Sequence, residues 1–154
     1  MQTTSSRPFQ DPISDRLGYV LRRASSVMMA DLGGALAVTG LRPVEATILI
    51  LVEANPRCTQ SDIGRMLGIK RANMVPLIAG LSAKGLIDKS PVDGRSQSLT
   101  LTAAGRDRRD QADALMRDHE ARFEAMLSSG EVDALRTALG RLMLNDASEA
   151  DQAA

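Results

Sequence analysis

Residues 59 to 102 constrain the fold more than any other stretch, because helix-start, helix-stop and hairpin signals follow one another there at short spacing. Thr59-Gln60-Ser61-Asp62 opens the stretch. The Thr59 hydroxyl can cap the backbone at the third helical position while the Asp62 carboxylate reaches back, a variant of the capping box. Ile63 and Leu67 place an apolar edge inward, Gly64 allows another helix close, and Gly68 supplies the backbone freedom that ends the helix in a tight turn. A second helix starts at once, with Met74, Leu77, Ile78 and Leu81 at helical spacing and Lys70, Arg71 and Asn73 crowded into its first turn. Pro76 falls in its second turn, where a lost backbone donor predicts a kink.

Past Gly85 the period changes from helix to strand, through Leu86 to Ser90 and then Gln97 to Leu101, with Pro91-Val92-Asp93-Gly94-Arg95-Ser96 between them. Asp-Gly between alternating segments predicts a hairpin closed by a type I′ turn, whose central residues both need positive φ. Arg95 is then at or near an exposed tip.

Helix, turn, helix and wing in this order suit nucleic acid. Arg71 and Asn73 can each make two-point hydrogen bonds, arginine to guanine and asparagine to adenine, and Lys70 can meet phosphates beside them. Thr59, Gln60 and Ser61 sit at a helix N-terminus, whose free amides favour phosphate oxygens, although simple capping explains them equally. Arginine at position 95 suits a narrow minor groove, whose negative potential attracts guanidinium. Arg65 and Lys89 fit either phosphate contacts or ordinary surface charges.

Leu81-x-x-Lys84-Gly85-Leu86-Ile87, then Asp93-Gly94-Arg95, then Leu99-Thr100-Leu101-Thr102-x-x-Gly105 carry a family resemblance. The chain resembles the MarR-type (multiple antibiotic resistance regulator) winged helix-turn-helix transcription factors over most of its length. The resemblance implies a mainly α fold with a small two-stranded β-wing, and N- and C-terminal helices that interlock two chains as a homodimer. It implies a sequence-specific regulator of double-stranded DNA, a repressor on a pseudo-palindromic operator, released by a small aromatic or phenolic ligand. Lys70, Arg71 and Asn73 take the recognition-helix positions, and Asp93 and Arg95 those of the wing. Lys70 departs from the pattern, standing where a Ser or Thr cap is usual. The domains implied are a flexible N-terminus at 1–11, dimerisation helices at 12–40 and 103–146, the winged helix-turn-helix at 41–102, and a flexible C-terminus at 147–154.

Composition agrees. With 2% aromatics and no tryptophan, the core must be built from Leu, Ile, Val, Met and Ala, which favours packed helices. The net charge is zero, but residues 57 to 109 hold ten Lys or Arg against four Asp, while residues 110 to 154 hold four against ten acids. A basic middle and an acidic end suit phosphate contact confined to the reader. A chain of 154 residues has no room for a separate catalytic domain, and neither a nucleophile, base and orienter set nor a phosphate-binding glycine loop is visible, so no enzyme and no cofactor are expected. The absence of a long apolar run and of a signal-peptide core in Met1 to Gln10 predicts a cytoplasmic protein without a membrane span.

Outside the reader, Ile13, Leu17, Val20, Leu21, Val27, Met28, Leu32 and Leu36 predict a long first helix to about Val38, with a bend at Gly33-Gly34. Pro43 opens a nearly all-apolar, buried helix that ends at Asn55-Pro56. Thr102 caps a long helix with the stripe Ala112, Leu115, Met116, His119, Phe123, Met126 and Leu127. Ser128 to Glu131 restarts the chain as a last helix, with Val132, Leu135, Leu139, Leu142 and Met143 inward. A ligand can be clamped by Tyr19, Arg22, Arg23 and Ser26, with Met29 as an adaptable wall. His119, the one histidine, has no companions for a metal site and is expected to be hydrogen-bonded at a helix interface. Two rival readings remain. Cys58, near a helix N-terminus and Arg57, can make an oxidant-sensing repressor if its pKa is lowered. A winged-helix protein-interaction module without DNA binding is the other.

Overall fold

The computed structural model describes residues 9–92 and 96–150, the last seven by their backbone only. Helix α1 spans Leu17–Leu36 and ends in a 3-10 turn, Ala37–Thr39. Then come α2 (Pro43–Ala54), α3 (Gln60–Leu67), α4 (Arg71–Ala83), β1 (Ile87–Pro91), β2 (Gln97–Leu101), α5 (Ala103–Glu124) and α6 (Ser129–Ala150). The core is built from α2, the inner faces of α3 and α4, and the roots of the wing, with Leu36, Ile48, Leu49, Met74, Ile78, Leu81 and Leu99 sealed from water. Among the described residues no single helix is long and apolar enough to cross a membrane.

The chain enters α1 four residues later than its apolar spacing predicts. The Asp11 carboxylate accepts from the Ile13 N–H and the Arg16 N–H bonds the Ile13 carbonyl, so a local turn outcompetes the helix up to Arg16. Gly33 and Gly34 lie inside an unbroken α1. At the other end α6 runs on to Ala150, through residues predicted to fray, because Ala147 to Ala150 are tolerable helix formers that continue an existing helix.

Thr102 sets the junction between reader and α5. Its hydroxyl accepts from the Gly105 N–H at 2.9 Å and donates to the Gly85 carbonyl at 2.7 Å, while its own N–H reaches the Leu86 carbonyl at 3.2 Å. The start of α6 has the matching device, with the Ser128 N–H and hydroxyl both donating to Glu131. Those bonds hold the Glu131 carboxyl below the usual glutamate value.

His119 is sealed between α1 and α5. Its Nε2 lies 2.9 Å from the Met28 carbonyl and its ring packs 4.9 Å from that of Phe123, so it is the hydrogen-bonded helix-interface histidine that the sequence predicts.

Candidate nucleic-acid interface

Helix α3 begins as its sequence predicts. The Thr59 N–H and hydroxyl donate to Asp62 Oδ2 at 2.8 and 2.7 Å, and the Asp62 N–H returns a bond to the hydroxyl at 3.3 Å. These bonds hold the Asp62 carboxyl below the usual aspartate value, so it stays charged at the helix entrance. Both helices of the reader then end in the same closure. Gly68 and Gly85 take the left-handed backbone (φ 63° and 69°), and the residue after each, Ile69 or Leu86, donates back to Gly64 or Leu81. An added Cβ at Gly64 would lie 3.0 Å from the Ile69 carbonyl and 3.1 Å from Met74 Cγ, so its hydrogen lets the turn and α4 close onto α3.

Helix α4 presents Lys70, Arg71 and Asn73 on its first turn, all exposed, with no side-chain partner among the described residues. Pro76 interrupts neither the helix nor its packing. It lies on the exposed face, so the Ala72 carbonyl that loses its donor is also exposed, and α4 continues to Ala83. The wing strands pair antiparallel from Ile87↔Leu101 to Pro91↔Gln97, one residue further along than the sequence predicts for β1. The Val92 N–H donates to the Ser96 carbonyl. That register leaves three residues in the connection, one more than a type I′ turn has. Asp93, Gly94 and Arg95, on which the turn and the wing contacts were placed, lie outside the described residues. The Leu99 N–H donates to the Cys58 carbonyl at 2.8 Å, which ties the wing to the entrance of α3.

Four residues of the basic segment are bonded to the scaffold. Lys84, which caps α4, donates to the Gly40 carbonyl at 3.1 Å and to Glu45 Oε1 at 3.0 Å. Arg106 bonds the Leu101 carbonyl, Arg108 bonds the Thr39 carbonyl, and Arg109 pairs with Glu53 and Asp110. Among the described residues near the reader, the exposed basic side chains without such a bond to the scaffold are Arg57, Arg65, Lys70, Arg71 and Lys89, with Arg65 3.8 Å from Asp62. The sequence count therefore overstates the charge available to a phosphate backbone.

Glu45 is the residue that sequence reasoning missed. It is 3% exposed. Burial works against its charge, but the Arg42 N–H at 2.8 Å, Lys84 and the Arg42 side chain outweigh burial and hold its carboxyl below the usual glutamate value. The signal was a carboxylate in the first turn of a helix whose following residues, up to Glu53, are apolar apart from Thr47.

Cys58 departs from the oxidant-sensor reading. Burial pushes its thiol up, and the neighbouring Asp62 carboxylate pushes it further, so the reactive thiolate is suppressed. Proximity to a helix N-terminus fails to lower it because Asp62 already occupies that entrance.

A second feature lies away from the reader. Helices α1, α5 and α6 line a cavity of about 750 Å3, walled by residues such as Val27, Phe123, Leu127 and Leu139, with Tyr19 and Arg23 at its edge. Arg23 donates to the Tyr19 hydroxyl at 3.3 Å, and the Arg22 and Arg23 guanidinium groups lie 5.6 and 5.9 Å from the Tyr19 ring centre. Arg22, Ser26 and Met29 do not line it. They form their own i, i+4, i+7 stripe on another face of α1, and the Ser26 hydroxyl donates to the Arg22 carbonyl.

Two helices joined by a tight turn, with a polar, exposed first turn on the second and a two-stranded wing behind, define a winged helix-turn-helix DNA-binding protein. Comparison with known proteins narrows the class. Residues 39–96 match the model of the MarR family. The chain is 34% identical to the transcriptional repressor CouR in a structure bound to a 23-mer DNA duplex, with a TM-score of 0.82 over 90% of this chain and 99% of that one. A CouR structure bound to p-coumaroyl-CoA is 32% identical, with a TM-score of 0.81 over 89% and 98% of the two chains. The HTH-type transcriptional repressor Rv2887 of Mycobacterium tuberculosis is 28% identical over 128 residues, 82% of this chain and 92% of that one. Its complex with salicylic acid is similar with a TM-score of 0.64, at 27% identity over 82% and 95% of the two chains. The chain belongs to the MarR family: it is a DNA-binding transcriptional regulator, not an enzyme.

Proposed function

We propose that this regulator is a homodimeric repressor that grips a pseudo-palindromic operator through two copies of α4 and releases it when an aromatic acid or its thioester binds. The observation that carries the reading is the exposed, unpartnered first turn of α4. Lys70 meets phosphate, Arg71 reads guanine and Asn73 reads adenine in the major groove. Gln60 and Ser61 offer the free amides at the start of α3 to the backbone, whereas the Thr59 hydroxyl is occupied by Asp62 and acts as a cap. Arg95, supported by Asp93, reaches the minor groove or a phosphate.

Residues 41–102 form the DNA-binding part, and 12–40 with 103–146 the dimerisation part. Leu17 on α1 and Met143 on α6, 72% and 70% exposed, and exposed Leu142 are apolar side chains outside the cavity that a second copy would cover. Two readers on a two-fold axis then meet half-sites about one helical turn apart.

CouR binds p-coumaroyl-CoA and Rv2887 binds salicylic acid, and an apolar cavity edged by Tyr19 and Arg23 suits the same chemistry, a flat ring with an anionic group. A coupling of ~1 to 3 kcal/mol between ligand and DNA gives a 5- to 150-fold loss of affinity.

Fluorescence anisotropy against duplexes selected from a random library tests the reading. Arg71→Ala and Asn73→Ala each weaken binding by about 1 to 3 kcal/mol and relax the preference at one base pair per half-site, while sedimentation gives a dimer. Unchanged preference in both variants, or a monomer at micromolar concentration, refutes it.

A further inference from the structure

Beyond Arg71, helix α4 carries no charge at all, from Ala72 to Ala83. Its inward face is Met74, Ile78 and Leu81. Its outward face is just as apolar, with Ala72, Pro76 and Ala79 at i, i+4 and i+7, all exposed, and Val75, 50% exposed, beside them. A solvent-facing helix surface ordinarily carries polar or charged side chains, and proline is the poorest residue for a helix interior. Here an interior proline occupies the middle of the exposed face, in a helix that stays regular around it.

Ala72 opens that face between Arg71 and Asn73, which flank it by about 100° on either side, so the stripe runs down the helix between the two. In the major groove each base pair presents a distinct pattern, and the one apolar element in it is the C5 methyl of thymine. Small apolar side chains admit a base edge closely, and the uncharged face brings no cation to a phosphate, so its contribution must come from contact with the bases.

We propose that Ala72, Val75, Pro76 and Ala79 form a thymine-methyl reading surface, which makes A·T pairs within each half-site a determinant of specificity. The inference rests on α4 entering the major groove, as proposed above. Arg71 and Asn73 supply the hydrogen-bonded part of the code, and the apolar stripe supplies the part that no hydrogen bond can read.

The experiment uses the full chain and the duplex selected from the random library. Each thymine is replaced singly by deoxyuridine, which removes the C5 methyl and keeps every hydrogen-bonding group. Burial of one methyl corresponds to about a fourfold change in affinity, so wild-type binding weakens by that factor at one or two positions per half-site. In Val75→Ala and Pro76→Ala the loss at those positions shrinks towards onefold. Pro76→Ala also separates recognition from folding, because alanine improves the helix. The variant melts at a higher temperature yet binds the thymine-bearing site more weakly.

Equal binding of thymine and deoxyuridine duplexes at every position by the wild-type protein overturns the proposal while leaving α4 as the reader. So does full discrimination by both variants. If no sequence is enriched and binding does not fall with salt, the reading of α4 as a major-groove helix fails first, and this inference with it.

Discussion

Gly105 sits at the third position of α5, where a Cβ would lie 2.0 Å from the Leu86 carbonyl oxygen and 3.0 Å from its carbon. Ordinary carbon–oxygen contacts start at about 3.3 Å, so Gly105→Ala must drive α5 and the root of the wing apart by more than an ångström. The bonds that resist this are the two from Thr102, to Leu86 and Gly85. Losing both costs about 1 kcal/mol each, and displaced packing between the helix and Leu86 adds about 1 to 3 kcal/mol. Alanine's better helix propensity returns roughly 0.5 to 1 kcal/mol. The net destabilisation is about 2 to 4.5 kcal/mol, a fall in Tm of roughly 4 to 18 °C for a chain of this size. Gly80→Ala is the control. Gly80 lies inside α4, and nothing stands within 4 Å of the added carbon, so the same substitution stabilises by about 0.5 to 1 kcal/mol. Thermal and urea melts at one fixed protein concentration, which holds constant the mass-action contribution of any self-association, measure both signs. If Gly105→Ala melts at or above the wild-type temperature, the close approach of α5 to Leu86 is not what fixes the wing.

Glu45 is ionised when folded and its pKa is depressed, so its contribution to stability is complete above the unfolded glutamate value of about 4.3 and disappears as pH falls through the folded value. Melts of wild type and Glu45→Gln should therefore differ at pH 7 and converge below about pH 4, whereas Lys84→Met costs about 1 to 3 kcal/mol at pH 7 by removing a charged hydrogen bond. A gap between wild type and Glu45→Gln that persists undiminished into strong acid would show that the ionised carboxylate is not what holds α4 to α2. For Cys58, whose thiol is pushed up, peroxide treatment at neutral pH should leave DNA affinity unchanged in wild type and in Cys58→Ser alike. A peroxide-induced loss in the wild type that Cys58→Ser abolishes would restore the sensor reading.

The residues that the sequence made legible are those whose partners lie within one helical turn. Thr59 with Asp62, Thr102 with Gly105, and the closures at Gly68 and Gly85 each need only three to five residues of chain, and the chemistry of a helix end admits few solutions at that range. Illegible features depend on distance along the chain. Lys84 reaches Glu45 across 39 residues and Arg108 reaches the Thr39 carbonyl across 69, and no local pattern distinguishes those cations from ones that face a phosphate. A count of basic residues along the chain thus overstates what the reader offers to DNA.

Tyr19 and Arg23 line the cavity while Arg22, Ser26 and Met29 do not, and helix geometry explains the division. Tyr19, Arg22, Arg23, Ser26 and Met29 were grouped by chemical type, but a helix turns about 100° per residue, and 22, 26 and 29 fall on one stripe while 20, 24 and 27 fall on another. The second stripe lines the cavity, with Tyr19 and Arg23 at its margin. The apolar residues at 20, 24 and 27 were legible as a stripe in their own right. Angle, applied before chemistry, would have chosen Arg23 over Arg22, since only the former stands next to that stripe. The same rule separates the two faces of α4, where the buried stripe at 74, 78 and 81 is matched by an exposed apolar one at 72, 76 and 79. A helix with two apolar stripes and no charge past its first turn has one face for its own core and another for something outside it. On the function proposed above, that something is the floor of the major groove.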